Sequence, residues 1–254
     1  VLFFIFLFGL AIGSFLNVVI NRGLRGETLR GRSHCESCGT VLSAKELIPL
    51  VSFVWQKARC RRCREKISWQ YPLVELVTAF SFAAAAHYLD FPRHFDIKTA
   101  LFALAAFSAI GAAIVIAVSD FRERIIPDGA VLILFLLGAA SAFFRQSIGK
   151  DFLAAAAFAL FLGSLWLVSR GRWIGFGDVK LMSTLALLVG FPSSLAAVLF
   201  SFWTGGIAGA ILFALGLKSL KSEIPFGPFI LAGSLLAFFF SEFFFSFAGL
   251  LPLL

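Results

Sequence analysis

Residues 98–128 read KTALFALAAFSAIGAAIVIAVSDFRERIIPD. An apolar run of about twenty residues, the length that crosses a bilayer as a helix, stops at Asp120. It gives way to the polar stretch Phe121-Arg122-Glu123-Arg124-Ile125-Ile126-Pro127-Asp128. An ionised carboxylate beside hydrocarbon needs a partner, a polar cavity or a function. A second aspartate stands in the same setting, because Gly175-Phe176-Gly177-Asp178-Val179-Lys180 opens another apolar run. Two such groups meeting inside a helix bundle suggest an acid/base pair.

Working outward, the same segregation governs the whole chain. Hydrophobic residues make up 60% and charged residues 14%, and the polar ones cluster between apolar stretches. A cleavable targeting segment alone does not account for so many stretches. The reading is an all-α polytopic membrane protein of about eight transmembrane helices, at residues 2–20, 71–89, 98–119, 129–144, 152–169, 179–191, 194–216 and 227–248. The fourth and sixth are short, and tilt or burial against neighbours accommodates them. Small residues at Gly163-Ser164 and Gly205-Gly206 are expected to let helices approach closely. The chain then divides into a first helix (1–20), a polar loop (21–70) and a membrane core (71–254).

A net charge of +8 in a soluble chain would suggest nucleic acid. Here membrane topology explains it, and no nucleic-acid partner is expected. With eight spans, 18 of the 22 Lys and Arg residues fall on one side, eleven of them within residues 21–70. Basic loops stay in the cytoplasm. That places the long loop and both aspartates at the cytoplasmic face, and both termini outside.

The four cysteines form two Cys-x-x-Cys pairs, Cys35/Cys38 and Cys60/Cys63, with 21 residues between them. Two such knuckles can converge as four thiolates around tetrahedral Zn²⁺. A reducing cytoplasm disfavours disulfides there. Four thiolates leave no open coordination position, so this metal is structural, and it folds a loop with little core of its own. His34, beside Cys35, is read as a bystander.

The paired carboxylates carry the chemistry. In an aspartic protease two carboxyl groups share a proton, one activating water and the other polarising the scissile carbonyl. Gly175 and Gly177 remove side chains beside Asp178, so a substrate backbone is expected to approach there. Pro127 separates the third and fourth helices. Asp128 reads as the cap of the fourth span, while Lys180 pairs with lipid phosphate or a loop carboxylate, or tunes the site.

The chain resembles the bacterial type IV prepilin peptidases, the leader peptidases of pilins and pseudopilins. The resemblance runs nearly end to end. It rests on Gly13-Ser14-Phe15-Leu16-Asn17-Val18-Val19-Ile20-Asn21-Arg22, the four-cysteine loop, Ile48-Pro49-Leu50-Val51-Ser52-Phe53 and Tyr71-Pro72-Leu73-Val74-Glu75-Leu76. It continues through the blocks holding Asp120 and Asp178 to Pro225-Phe226-Gly227-Pro228. The resemblance implies catalysis by Asp120 and Asp178, and a zinc site at Cys35, Cys38, Cys60 and Cys63. The implied reaction is removal of a short basic leader, after a Gly, from type IV prepilins or type II secretion pseudopilins at the bacterial inner membrane. It further implies N-methylation of the new terminus with S-adenosylmethionine. For that second activity the residues themselves offer no glycine-rich donor fingerprint. Glu36, Glu46 and Glu75 are acidic groups that could meet a basic leader, with loop solvation the simpler reading for Glu36 and Glu46. Membrane lipid is the other expected partner. The alternative function is a proton-coupled transporter using intramembrane aspartates. It predicts inverted repeats, whereas the cysteine loop and both aspartate blocks occur once each.

Overall fold

The computed structural model describes residues 1–91, 96–217 and 223–247, and among these its regular structure is helical apart from two isolated β-bridges. In chain order the helices are α1 (Leu2–Leu24), α2 (Val51–Trp55), α3 (Gln70–Tyr88), α4 (Ile97–Glu123), α5 (Asp128–Phe144), α6 (Ile148–Ser169), α7 (Phe176–Val189), α8 (Ser193–Ala214) and α9 (Gly227–Phe247). Among the described residues a helix covers each of the eight expected stretches. The helices overrun the apolar runs at polar ends: α1 continues to Leu24 and α4 to Glu123. Asp120 therefore lies within the last turn of α4 rather than after it.

By length and composition α1, α4, α6, α8 and Gly227–Ser246 of α9 can each cross a membrane, while α5 is a shorter apolar helix. Leu104, Leu153, Leu160 and Val168 point outward from these helices, as on a surface solvated by lipid. The protein is a multi-pass membrane protein.

The chain forms two compact units, 1–115 and 116–254. In the first, α1 and α3 run antiparallel at close quarters. A Cβ on Gly9 would sit 2.6 Å from the Cα of Ala79, and one on Gly13 2.6 Å from the Cα of Glu75. Glycines spaced one turn apart thus let two backbones touch, which maximises dispersion contact where lipid offers no hydrophobic drive. Further along the seam the contact turns polar. Asn17, fully buried, donates to the carbonyls of Gly13 and Tyr71 (3.2 Å each) and accepts from Gln70 Nε2 at 3.1 Å. Arg22 ends the seam, donating to the carbonyls of Thr28, Arg30 and Arg32, and so folds the loop back onto the tip of α1.

In the second unit the short α7 is central, packed against α5, α6, α8 and α9. Leu181, Met182, Leu185, Ala186 and Leu187 are all buried. Fourteen residues suffice for α7 because neighbouring helices, rather than lipid, surround it. Of the expected close approaches, Gly205 makes one, receiving the Phe226 ring, while a Cβ on Gly163 or Gly206 would meet nothing within 4 Å. A further close approach lies at Gly233, which abuts Ser201. At one end of this unit Arg145 donates to the last carbonyls of α7, Leu187 (2.9 Å) and Leu188 (3.0 Å), and to Asp151 (2.9 Å). Asp151, wholly buried, also accepts from the amide of Phe191 at 2.8 Å. The end of α5, the start of α6 and the turn from α7 to α8 are thereby tied together.

Candidate active site and metal centre

The opposite end of the second unit gathers the end of α4 and the starts of α5, α7 and α9. Asp120 is 4% exposed, and its Oδ2 accepts the Gly227 amide at 2.8 Å. This amide is among the first of α9, which have no partner within the helix and carry the positive end of its dipole. Asp178 sits in the first turn of α7, half-buried, and its Oδ2 accepts the Gly175 amide at 3.1 Å. The two carboxyl groups are close enough for their charges to interact. Each therefore has one oxygen fixed by backbone.

Two ion pairs brace this end. Lys180 of α7 pairs with Asp128 of α5, and Arg124 pairs with Glu223 ahead of α9. Asp128 is not the cap of α5. Pro127 occupies that position, and Asp128 follows as the first helical residue, where the helix dipole favours a carboxylate. Its side chain turns to Lys180, the loop-carboxylate alternative among Lys180's possible partners. The glycines beside Asp178 are also used internally. A Cβ on Gly177 would press on Ile126 at 3.1 Å, and one on Gly175 on Asp178's own Oδ2 at 3.2 Å. They admit the protein's own groups, where a substrate backbone was expected.

The first unit holds the candidate metal centre. The four Sγ atoms of Cys35, Cys38, Cys60 and Cys63 lie within 4.8 Å of one another. Cys35 and Cys63 are 3.8 Å apart, which fits the edge of about 3.8 Å that Zn–S bonds of about 2.3 Å give a tetrahedron. The two knuckles have the same hydrogen-bond frame. Cys35 N donates to Thr40 O and Gly39 N to Cys35 O, and equivalently Cys60 N donates to Glu65 O and Arg64 N to Cys60 O. Bridges His34–Val41 and Arg59–Lys66 close them. Gly39 and Arg64 occupy equivalent positions with φ of +67° and +61°. His34 is outside the cluster, as expected of a bystander.

The thiols resist sharing one site as four free acids. Hydrogen bonds from the Thr40 side chain and backbone draw Cys38 down to about 6. At Cys63 the Glu65 amide pulls downward, but burial and hydrogen bonding with the other three thiols outweigh it and push the group up to about 12. A divalent cation removes that conflict by holding all four as thiolates.

Of the remaining acids, Glu46 closes a capping box with Ser43, bonding its amide at 2.9 Å and its hydroxyl at 2.7 Å. Glu36 pairs with Arg25 at 2.7 Å and accepts from the Tyr71 hydroxyl at 3.0 Å. Glu75 is 6% exposed and accepts the Leu50 amide at 2.8 Å. The amide of Gly227, the helix-end tie at Arg145–Asp151 and the Arg22 clamp were not foreseen. An Asp151 so near an apolar run and an Asn17 within one were the available signals.

Comparison with known proteins accounts for both units. The family described as the Bacterial Peptidase A24 N-terminal domain matches residues 7–89, and the Type IV leader peptidase family matches residues 107–210. A Bacillus subtilis protein named prepilin leader peptidase/N-methyltransferase is 36% identical over 242 residues, covering 94% of each chain. Proteins of the same name from Burkholderia pseudomallei and Pseudomonas aeruginosa are each 31% identical, over 97% and 88% of this chain and 87% and 85% of their own. No solved structure matches. With one family model over the cysteine knuckles, another over the blocks of Asp120 and Asp178, and relatives aligned nearly end to end, the chain belongs to the type IV leader peptidase family.

Proposed function

We propose that this protein is a prepilin leader peptidase and N-methyltransferase, and that Asp120 and Asp178 hydrolyse the leader peptide bond. The observation that carries the reading is a pair of carboxyl groups from α4 and α7 whose charges interact, each held through Oδ2 by a backbone amide. Like charges at close range, in surroundings of low dielectric, favour a state in which the pair holds one proton. The ionised carboxylate accepts a proton from water as that water attacks the scissile carbonyl. The protonated one donates a hydrogen bond to the carbonyl oxygen, and the departing amine takes up a proton as the bond breaks. The proton belongs to the pair rather than to either residue. Family membership leaves the transporter alternative without support.

The substrate reading is a short basic leader, cut after a Gly, on type IV prepilins or type II secretion pseudopilins. The 18-to-4 split of basic residues supports placing the Asp pair and the cysteine loop on the cytoplasmic side of the bacterial inner membrane, with eight crossings. Zn²⁺ is the metal that the four-sulfur geometry fits best, in a structural role. The methyl group comes from S-adenosylmethionine.

Intact-mass analysis of prepilin, incubated with purified wild type, Asp120→Asn and Asp178→Asn, tests the peptidase. Wild type removes the leader, and in the presence of S-adenosylmethionine adds the mass of one methyl group. Both variants leave the leader in place while keeping the metal. Full cleavage by either variant overturns the two-aspartate mechanism.

A further inference from the structure

The first unit contains a cavity of about 280 Å³, lined among others by Ser14, Arg25, Glu36, Phe53, Tyr71 and Glu75. It lies near the lower end of the roughly 300–1,000 Å³ typical of small-molecule sites. Nothing in peptide hydrolysis by the Asp120–Asp178 pair uses it. Its unusual member is Glu75. This carboxylate is 94% buried by its 6% exposure, and its hydrogen bonds come from neutral groups, the Leu50 amide and the Ser14 side chain. Among the described residues no Lys or Arg pairs with it. A buried carboxylate without a cation is costly, so a cavity it lines suits a cationic ligand. The rest of the lining mixes aromatic and charged side chains, with Phe53 and Tyr71 beside the Arg25–Glu36 ion pair, a combination that suits a charged nucleoside.

Resting on the methyltransferase reading above, we propose that this cavity binds S-adenosylmethionine, with the Glu75 carboxylate facing its sulfonium. In the transfer the lone pair of the substrate's free N-terminal amine forms the new N–CH₃ bond. The S–CH₃ bond breaks and its electrons stay on sulfur, leaving a neutral thioether. The methylated amine releases one proton to solvent. Positive charge thus leaves the sulfur during the step. Glu75 serves to bind and orient the donor, and is no acid or base.

Equilibrium binding by the full-length, metal-loaded protein in detergent, without prepilin, tests this. The probes are S-adenosylmethionine and S-adenosylhomocysteine, which differ in the methyl group and its charge. Wild type should bind the charged nucleoside at least tenfold more tightly. Glu75→Gln should lose that discrimination while binding S-adenosylhomocysteine within about twofold of wild type, and Glu75→Asp should restore part of it. Should Glu75→Gln fail to fold, ultraviolet cross-linking of the labelled donor to the unaltered chain decides. Label on peptides within residues 14–75 supports the site, and label confined to residues 116–254 overturns it. Unchanged discrimination in Glu75→Gln overturns the role of Glu75. Binding of neither nucleoside by wild type instead overturns the methyltransferase reading, and leader cleavage remains a separate measurement.

Discussion

Gly227 N–H and Asp120 Oδ2 stand 2.8 Å apart although 107 residues separate them in the chain. No periodicity or local spacing encodes such a contact, so the reading of the sequence reached both aspartates but not the amide that aims one of them. The glycine has a second reason to be there. An added Cβ would lie 2.8 Å from Oδ2 and 3.1 Å from Cγ of Asp120, so Gly227→Ala must displace either the carboxyl group or the start of α9. Displacements of about 1 Å at a reacting group cost about a hundredfold in rate. Gly227→Ala should therefore lower leader cleavage about a hundredfold, with the bound metal and the helical circular dichroism retained. Cleavage within a few-fold of wild type would show that the Gly227 contact does not position Asp120. The knuckles hold a smaller local cost. Arg64 adopts φ +61° where the equivalent residue is Gly39, a conformation costing a side-chain-bearing residue about 1 kcal/mol or more. Arg64→Gly should relieve it and raise the midpoint of loop unfolding, followed by the fluorescence of the nearby Trp55 and Trp69.

The knuckles and the long helices show what a local pattern carries and what it leaves out. Each Cys-x-x-Cys turn closes its own hydrogen bonds within eight residues, so the clustering of the four cysteines was readable from spacing alone. The eight helices were readable because continuous apolar runs fix them. Their polar overhangs, such as Asn21 to Leu24 in α1 and Asp120 to Glu123 in α4, lay beyond the apolar signal and depend on tertiary partners. Between the knuckles the loop has a 3₁₀ turn and the five-residue α2, too little to form a core, so a bound metal is expected to order it. Chelation should release one metal ion per chain and speed amide hydrogen exchange across residues 33–42 and 58–67, leaving the amides of α7 protected. Unchanged exchange would make the metal dispensable for folding. Interior helix ends depend on side chains instead. Asp151 accepts three hydrogen bonds while wholly buried, from Arg145, Ser147 and Phe191. Asp151→Asn removes the charge opposite Arg145, whose side chain keeps about a third of its exposure. Solvent screens that pair in part, so the loss should be about 2 kcal/mol in equilibrium unfolding. A loss below about 0.5 kcal/mol would mean that neutral hydrogen bonds alone hold these ends together.

Across the whole molecule, the charge count favours one orientation, and the helix ends of the second unit say which residues would share each side. The count puts 18 of 22 basic residues on one side. Within the second unit the ends of the helices sort by their contacts: Asp120, Asp178, Lys180 and Gly227 share one end, while Arg145, Asp151 and Phe191 share the other. The Arg145 end is the one that the count places outside. Ion pairs engage basic residues on both sides of the count, Arg145 with Asp151 on one and Arg25, Arg124 and Lys180 with Glu36, Glu223 and Asp128 on the other, so the excess persists and the orientation it favours should be uniform. Single cysteines at the two ends test it. A membrane-impermeant maleimide should label Lys150→Cys in spheroplasts with intact membranes, and should reach Arg172→Cys only after permeabilisation. Both positions lie at the borders of α6, so the pair also asks whether α6 crosses the membrane. Labelling of both, or of neither, before permeabilisation would show that it does not, and the reverse pattern would turn the Asp120–Asp178 pair away from the cytoplasm and from a leader that stays there.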